Sequence, residues 1–250
     1  NSLDVDNNGN VYLSTFTFYD LVFQQAVNTA FNDTNSTAAS YIIKFNSSLQ
    51  VQWLKKVTNG IENKLVLNSN NDVYFAMNNI YGQSRYTLQR YNTNGTLLWS
   101  GIQEDQSYSD ILVDKNDKLI VSGQWMAQFL PIDVDPSSNQ YLLPSNTYIS
   151  LYLLWFDTNN NLLDIKKYLN NGQHFPLSIE GLSCDDYNNL HVNGYFDKTF
   201  DANPDLGVNN IVFGSGYSEG CSITFNPNRE YKTSFRIGST NAYKPNAYAR

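Results

Sequence analysis

The chain has 250 residues and a mass of 28.5 kDa, enough to bury a hydrophobic core without the help of disulfides or metals. Aromatic residues make up 14% of the sequence and charged residues only 16%, which excludes intrinsic disorder. A formal net charge of −7 without a cluster of Lys and Arg argues against nucleic acid as a partner, and no apolar run approaches the roughly 20 residues of a membrane-spanning helix.

Asparagine is the most unusual component, with 35 residues that occur mostly in short runs. Asn tolerates left-handed backbone geometry, so these runs predict turns. The segments between the runs are short and rich in Val, Ile, Leu, Tyr and Phe, as in residues 10–14 and 118–122, and this pattern predicts strands. The best helical pattern, residues 20–31, is weak. We therefore predict an all-β protein.

The predicted strands repeat along the chain. A segment of the form apolar strand, polar turn, apolar strand occurs four times, and a second segment of the same form follows each copy. The first segments are residues 5–13, 67–75, 113–121 and 184–192, and the second are residues 45–53, 91–99, 156–163 and 225–232. Two hairpins per repeat make four antiparallel strands, and four-stranded units in series predict a β-propeller or a segment of one. The four predicted blades are approximately residues 1–60, 61–106, 107–175 and 176–250, in a single propeller domain or part of one.

The joins between the two hairpins differ in length. The join is short in the second repeat, at residues 77–86, and long in the others, at residues 16–40, 125–150 and 196–220. Variable aromatic and polar loops on a repetitive scaffold often form binding surfaces, so one hypothesis is that the long joins carry recognition. An equally weighted alternative is that they are insertions that cover sheet edges.

The repeats resemble the SBBP family, the bacterial-type seven-bladed β-propeller repeats. The resemblance rests on an ordered set of motifs: Asp, a turn with Gly-Asn, Val-Tyr, Gly, an aromatic residue, Asp-x-Asp-Pro, then an aromatic residue followed by Asn-x-x-Gly-x-x-x-Trp. The motifs include residues 4–12, 91–99, 123–136 and 194–205. The first repeat lacks Asp-x-Asp-Pro, and the last two have Asp164 and Thr233 in place of Trp53 and Trp99. The resemblance implies a secreted or surface-displayed scaffold used for adhesion or for binding proteins or glycans, and not an enzyme.

Residues for catalysis are sparse. The two histidines, His174 and His191, lie in different contexts, and His191 occupies a position that favours a packed or half-exposed strand residue. The carboxylates Asp133 and Asp135 precede Pro136, and Asp201 and Asp205 lie on either side of Pro204. We interpret them as turn-forming residues rather than as the acid pair of a glycosidase. No catalytic residue is therefore assigned.

Calcium is the only metal that a motif suggests. Asp4, Asp6 and Asn8 match the opening of an Asp-x-Asp-x-Asn-Gly calcium loop, but Thr15 stands where such a loop has a bidentate Glu. Two of the equivalent segments drift to Asn68-Ser69-Asn70 and Asp114-Lys115-Asn116, as turns would and shared metal ligands would not. We therefore favour a structural turn, keep calcium as the alternative, and expect no other cofactor.

The remaining candidates concern cysteines and glycosylation. Cys184 and Cys221 are predicted on the first and third strands of the last repeat. Strands two apart lie too far from each other for a disulfide, so unpaired buried thiols are expected. Four Asn-x-Ser/Thr sequons, all in predicted turns or loops, are candidate glycosylation sites: Asn32, Asn35, Asn46 and Asn94.

Together these features predict an extracellular or cell-surface, non-catalytic β-propeller scaffold. Its expected partners are proteins or glycans on a surface, or copies of itself, with no nucleic acid and no membrane span. The alternatives are a structural subunit of a surface filament or coat, and a carbohydrate-active propeller enzyme. Both ends of the sequence fall at predicted blade boundaries, and a larger chain or assembly is expected, with a compact four-bladed ring as the alternative.

Overall fold

A computed structural model describes the backbone of residues 2–18, 21–24, 30–33, 39–58, 60–79, 85–104, 106–125, 131–136, 139–145, 149–169, 177–214 and 218–238. These residues form strands and turns and no helix, which confirms the all-β prediction. Within them, no helix is long and apolar enough to cross a membrane. The chain divides into two compact units, Asn1–Ser107 and Tyr108–Arg250.

The first unit contains two four-stranded antiparallel sheets. Sheet 1 has the strand order β1-β2-β5-β6, and sheet 2 has the order β7-β8-β9-β10. The strands of sheet 1 are β1 (Ser2–Val5), β2 (Val11–Thr17), β5 (Ala39–Phe45) and β6 (Val51–Thr58), and β3 (Leu21–Gln24) pairs with β4 (Ala30–Asp33) in the join between β2 and β5. Sheet 2 consists of β7 (Gly60–Leu67), β8 (Val73–Asn79), β9 (Arg85–Tyr91) and β10 (Leu97–Glu104). The weak helical pattern at residues 20–31 therefore overlaps two strands.

The second unit repeats this plan in sheets 3 and 4, with the strand orders β11-β12-β15-β16 and β17-β18-β21-β22. Sheet 3 consists of β11 (Gln106–Val113), β12 (Leu119–Trp125), β15 (Ser150–Phe156) and β16 (Leu162–Tyr168), with β13 (Ile132–Asp133) and β14 (Leu142–Leu143) in its join. Sheet 4 consists of β17 (Leu177–Cys184), β18 (Leu190–Phe196), β21 (Glu219–Phe225) and β22 (Tyr231–Ile237), with β19 (Phe200–Asp201) and β20 (Asn210–Ile211) in its join. Two hairpins per repeat are confirmed, and each long join contains a small hairpin of its own.

Eight turns of one geometry connect the paired strands. We number their five residues as positions 1 to 5, so that Asp6 is position 1 and Gly9 is position 4 in the first turn. The backbone N–H of position 1 donates to the carbonyl of position 5, and the N–H of position 4 donates to the carbonyl of position 1. Position 1 is always Asp or Asn: Asp6, Asn46, Asn68, Asn92, Asp114, Asp157, Asp185 and Asn226. Position 4 always has a positive φ: Gly9, Leu49, Asn71, Gly95, Asp117, Asn160, Asn188 and Arg229.

This geometry explains the asparagine runs. The side-chain oxygen of position 1 accepts the N–H of position 5, and in most turns that of position 3 as well, at 2.8–3.1 Å. Asp and Asn are the residues whose short side chains make such bonds, and Gly and Asn tolerate the left-handed conformation at position 4. Because the strands are antiparallel, both turns of a sheet lie at one end and the join lies at the other.

Within each unit the two sheets stack by the same faces. We call the face of sheet 1 that carries Tyr12, Lys44 and Trp53 its front face, and we name the register-equivalent faces of the other sheets in the same way. In the first unit, Tyr12, Ile42 and Val57 on the front face of sheet 1 pack with Val73, Phe75 and Met77 on the back face of sheet 2. In the second unit, front-face residues of sheet 3 such as Leu153 and Trp155 pack with back-face residues of sheet 4 such as Val192 and Phe225.

A turn also contacts a strand in the same way in both units. In the first, the carbonyl of Thr93 accepts hydrogen bonds from Lys44 Nζ (3.0 Å) and Trp53 Nε1 (2.9 Å), and Gly95 lies against the Trp53 ring. In the second, Arg229 Nε donates to Asp164 Oδ2 at 3.2 Å. Gly95 and Arg229 both occupy position 4, and Trp53 and Asp164 are register equivalents on the fourth strand. Asp164 therefore stands where the first unit has Trp53, and the turn that contacts it has Arg229 where the first unit has Gly95.

The predicted inward positions of the second strand of each sheet are partly confirmed. Six of them are buried: Val73, Phe75, Leu119, Val121, Leu190 and Val192. Val11 and Leu13 are half-buried against a cluster formed by strand β5. The alternation of apolar residues predicted that only one side of each strand is packed. Tyr12, Tyr74 and Ile120 lie on the other side and are buried too. Tyr12 packs in the cluster between sheets 1 and 2, and Ile120 packs in the cluster between sheets 3 and 4, so the stacking within each unit also covers front-face positions.

Candidate binding surface

The residues of the suggested calcium loop form hydrogen bonds within the protein. Asp6 occupies position 1 of the first turn, where its carboxylate accepts the N–H groups of Asn8 and Asn10, the Asn10 amide and the Tyr12 hydroxyl. Burial raises the pKa of Asp6, but these hydrogen bonds outweigh it and lower the pKa below its usual value. Asp4 Oδ2 accepts the N–H of Leu67 on β7 at 2.9 Å, and Asn8 is exposed. No cluster of three metal-ligating His, Cys, Asp or Glu side chains occurs in the described part of the chain.

The paired carboxylates of the third and fourth joins organise small hairpins. Asp133 Oδ1 accepts the N–H groups of Asp135 and Tyr141, and Asp201 Oδ1 accepts those of Asn203 and Asn209. The same two spacings, two and eight residues, occur in both hairpins. Such hydrogen bonds are typical of turn-forming residues. The motif that recurs in the sequence therefore makes the same pair of backbone hydrogen bonds in both joins.

Asp205 links the hairpin of the fourth join to two strands. Its Oδ1 accepts a hydrogen bond from Lys166 Nζ on β16 at 2.7 Å, and its Oδ2 accepts the N–H of Tyr231 on β22 at 3.2 Å. The Tyr168 hydroxyl also donates to the carbonyl of Ala202 at 3.1 Å. This hairpin therefore contacts the edge strands of sheets 3 and 4.

The tip of the same hairpin remains available to a ligand. Leu206 and Val208 are exposed at the tip, and neither belongs to a core cluster of the described residues. The Asp201 hydrogen bonds hold the loop, and Gly207 between the two apolar residues has a φ of 153°. The hairpin of the third join likewise exposes Tyr141 and Leu142. Contact with the edge strands and an exposed apolar tip therefore occur in the same hairpin.

His191 lies on strand β18 and is half-buried, as predicted for a strand residue. Its Nδ1 is 3.0 Å from Thr224 Oγ1, and its Nε2 is 3.5 Å from Asp185 Oδ2. This order of carboxylate, imidazole and hydroxyl has the connectivity of a nucleophilic triad. Thr224 is, however, only 4% exposed, so its hydroxyl is not open to a substrate. His174 lies outside the described residues.

The two cysteines are on β17 and β21, the first and third strands of sheet 4, as predicted, and both are free. Cys221 is buried and Cys184 is half-buried rather than fully buried. Burial raises the pKa of each thiol to about 12. At neutral pH both are protonated, and neither is a reactive thiolate.

The sequons differ in how their side chains are used. Asn46 is at position 1 of its turn, where its Oδ1 accepts two backbone N–H groups and its Nδ2 donates to Gln50 at 3.0 Å. Asn94 is at position 3 and is exposed. The backbone of Asn32 is in β4, but its side chain is outside the described part, as is the whole of Asn35. Glycosylation at any of the four stays a prediction.

No family model matches this chain, and no curated protein is significantly similar to it.

Proposed function

We propose that this protein is an extracellular, non-catalytic β-propeller scaffold that binds a protein or a glycan through the hairpins of its long joins. The observation that carries the proposal is the contrast between the two ends of each sheet. The eight turns at one end share a single geometry, whereas the joins at the other end differ in length and in the side chains at their tips. A constant frame with variable loops is the usual construction of a binding scaffold.

The stacking of the sheets supports the propeller. Propeller blades are four-stranded antiparallel sheets that pack face to face in sequence order. Each unit contains two such sheets, and the front face of the earlier one covers the back face of the later one in both. Asp4 of β1 bonds the Leu67 N–H of β7, and Asp110 of β11 bonds the Leu182 N–H of β17, so the first strands are also linked alike.

A non-catalytic role is supported by how the polar side chains are used. Asp133 and Asp201 hold hairpins, Asp205 links two strands, and the hydroxyl beside His191 is buried. The large apolar side chains exposed on the fourth join include Leu206 and Val208, which suit contact with a partner.

The test is to screen the purified protein against arrays of glycans and of extracellular proteins, and to compare it with a Leu206→Ser, Val208→Ser variant. We expect a ligand that binds the wild type and loses most of its affinity for the variant. Leu163→Ser is the matched control, because Leu163 is an exposed leucine on β16 rather than on a join. Equal binding by the wild type and the double variant would refute recognition by this join.

A further inference from the structure

The eight turns provide an internal comparison, because they share one geometry but not all of their side chains. Position 2 is a small polar residue or Pro in six turns: Asn7, Ser47, Ser69, Thr93, Thr158 and Pro227. Position 3 is Asn or Ser in seven turns: Asn8, Ser48, Asn70, Asn94, Asn116, Asn159 and Asn228. Only Lys115 and Asp186 at position 2 and Tyr187 at position 3 depart from this pattern. The geometry of the turn does not require these three side chains.

The three departures lie together in the second unit. Lys115 belongs to the first turn of sheet 3, and Asp186 and Tyr187 belong to the first turn of sheet 4. Lys115 Nζ lies 2.7 Å from Asp186 Oδ1. The two turns are also joined through Asn188, whose Oδ1 accepts the Lys115 N–H at 3.1 Å and whose Nδ2 donates to Asp114 Oδ2 at 3.1 Å. We call Lys115, Asp186, Tyr187 and Asn188 the turn-pair site.

The site presents one aromatic ring in a preorganised setting. The Tyr187 side chain is 83% exposed, so packing does not account for it. Its backbone is nevertheless fixed, because its N–H donates to Asp185 Oδ1 at 2.9 Å within the turn. The side chain of the adjacent Asp186 is 98% exposed, and that of its partner Lys115 is 48% exposed. Because the backbone of the turn is already ordered, binding a ligand there costs little backbone entropy.

We propose that the turn-pair site binds a neutral hexopyranose of a glycan, with one face of the sugar on the Tyr187 ring. The sugar hydroxyls hydrogen-bond to the Asp186 carboxylate and the Lys115 ammonium, which supply an acceptor and a donor. The charges of these two groups compensate each other, so the site does not favour a charged ligand over a neutral one. It lies at the turn end of the sheets and is independent of the joins named in the proposed function.

A peptide fits this site less well than a sugar. The backbone N–H groups of positions 1, 3, 4 and 5 of the Tyr187 turn already donate within the turn, so an extended peptide finds no free strand edge there. The neighbouring exposed residues are polar, and they form no apolar pocket for a peptide side chain. A pyranose has apolar C–H faces and hydroxyl groups around its edge. An exposed aromatic ring next to polar groups suits this arrangement.

The test uses methyl glycosides of glucose, galactose, mannose and N-acetylglucosamine, with methyl glucuronide as the charged comparison. Saturation-transfer NMR detects binding, and amide chemical shifts locate it. We expect millimolar binding of at least one neutral glycoside, with shifts concentrated in residues 114–118 and 185–189. Tyr187→Asn places the residue type of the other turns at position 3, so the fold is retained. We expect this change to weaken binding about tenfold or more.

Two further variants separate a built site from a merely exposed tyrosine. Lys115→Thr removes the ammonium and installs the Thr of two other turns, and we expect it to weaken binding severalfold. Asn159→Tyr in the Tyr187→Asn background places an exposed ring on a turn without the Lys and Asp pair, and we expect it not to restore binding. The proposal is overturned if no neutral glycoside binds, if only the glucuronide binds, if Tyr187→Asn binds like wild type, or if Asn159→Tyr restores binding. None of these results affects recognition by the joins, which the Leu206 and Val208 variant tests separately.

Discussion

At the scale of single residues, the side chains at positions 1 and 5 are matched as donor and acceptor in six of the eight turns. Where position 1 is Asp, an Asn amide at position 5 can donate to it, as in Asp157 with Asn161 at 2.9 Å. Where position 1 is Asn, position 5 supplies an acceptor, as in Asn226 with Glu230 at 2.8 Å. The same matching occurs in the pairs Asp6 and Asn10, Asp185 and Asn189, Asn46 and Gln50, and Asn68 and Asp72.

This matching predicts a rescue by exchange. Asn161→Asp places a second acceptor-only carboxylate next to that of Asp157, and we expect it to lower the free energy of unfolding by about 1 kcal/mol at neutral pH. Adding Asp157→Asn recreates the Asn and Asp pair found at Asn68 and Asp72, and most of the loss should be recovered. Urea denaturation of the wild type, both single variants and the double variant measures the coupling. Additive effects of the two changes would contradict the matching.

The glycines at position 4 predict a second contrast. Gly9 and Gly95 have φ values of 76° and 77°, so Ala costs about 1 kcal/mol in either turn for backbone conformation. A Cβ on Gly95 would also lie 2.9 Å from Trp53 Cδ2, whereas on Gly9 its nearest contact is Ser47 Cβ at 3.4 Å. We therefore expect Gly95→Ala to destabilise by about 1 to 3 kcal/mol more than Gly9→Ala. Equal melting temperatures for the two variants would show that the turn does not press on Trp53.

At the scale of elements, the central strands carry the stability because both of their faces are covered. Every residue of β5, β15 and β21 is buried, whereas most of β22 is exposed. The second strand of sheet 3, β12, is buried from Leu119 to Gly123. A strand in this position contributes apolar area from successive residues, not only from alternate ones.

Leu119→Ala tests this burial. Leu119 is fully buried, and its truncation should cost about 2 to 4 kcal/mol of unfolding free energy from lost transfer energy and the remaining cavity. Leu98→Ala is the control, because Leu98 on β10 is exposed and its loss should change stability by no more than about 0.5 kcal/mol. Thermal unfolding measures both. A wild-type melting temperature for Leu119→Ala would be incompatible with the register of sheet 3.

At the scale of the whole molecule, the repeated turns give the protein a defined response to acid. Hydrogen bonds from the Asn189 side chain and from backbone N–H groups lower the pKa of Asp185 to about 2 from its ordinary value of 3.8, and the nearby His191 adds to the shift. Hydrogen bonds also lower the pKa of Asp6 and Asp157, although burial opposes the shift in both. Each of these carboxylates therefore stabilises the folded state when it is ionised.

The resulting pH dependence has a definite sign. Because the folded pKa values lie below the unfolded ones, the stabilisation is complete above about pH 4 and is lost as the pH falls towards 2. Urea midpoints measured across this range should fall with pH. Asp185→Asn should be less stable than wild type at neutral pH, and the difference should disappear near pH 2. A wild-type midpoint that does not change with pH would contradict this account.

The sequence by itself determined the strands, the turns and their repetition. These features depend on residues close together in the chain: Asp or Asn at position 1, Gly or Asn at position 4, and apolar residues on either side. The spacing of the motifs also placed Cys184 and Cys221 on the first and third strands of one sheet. Their half-buried and buried states, in contrast, depend on what packs over each strand.

Only the tertiary structure decided what the residues between the turns contact. Arg229 pairs with Asp164, and Asp205 with Lys166 and Tyr231, across separations in the chain that no local pattern encodes. The small hairpins of the joins have strands of two residues in sheets 3 and 4, too short for a periodic signal. Lys115 meets Asp186 and Asn188 because two sheets stack and bring equivalent turns side by side. Local chemistry sets the repeat, and the stacking of one repeat on the next sets which side chains meet.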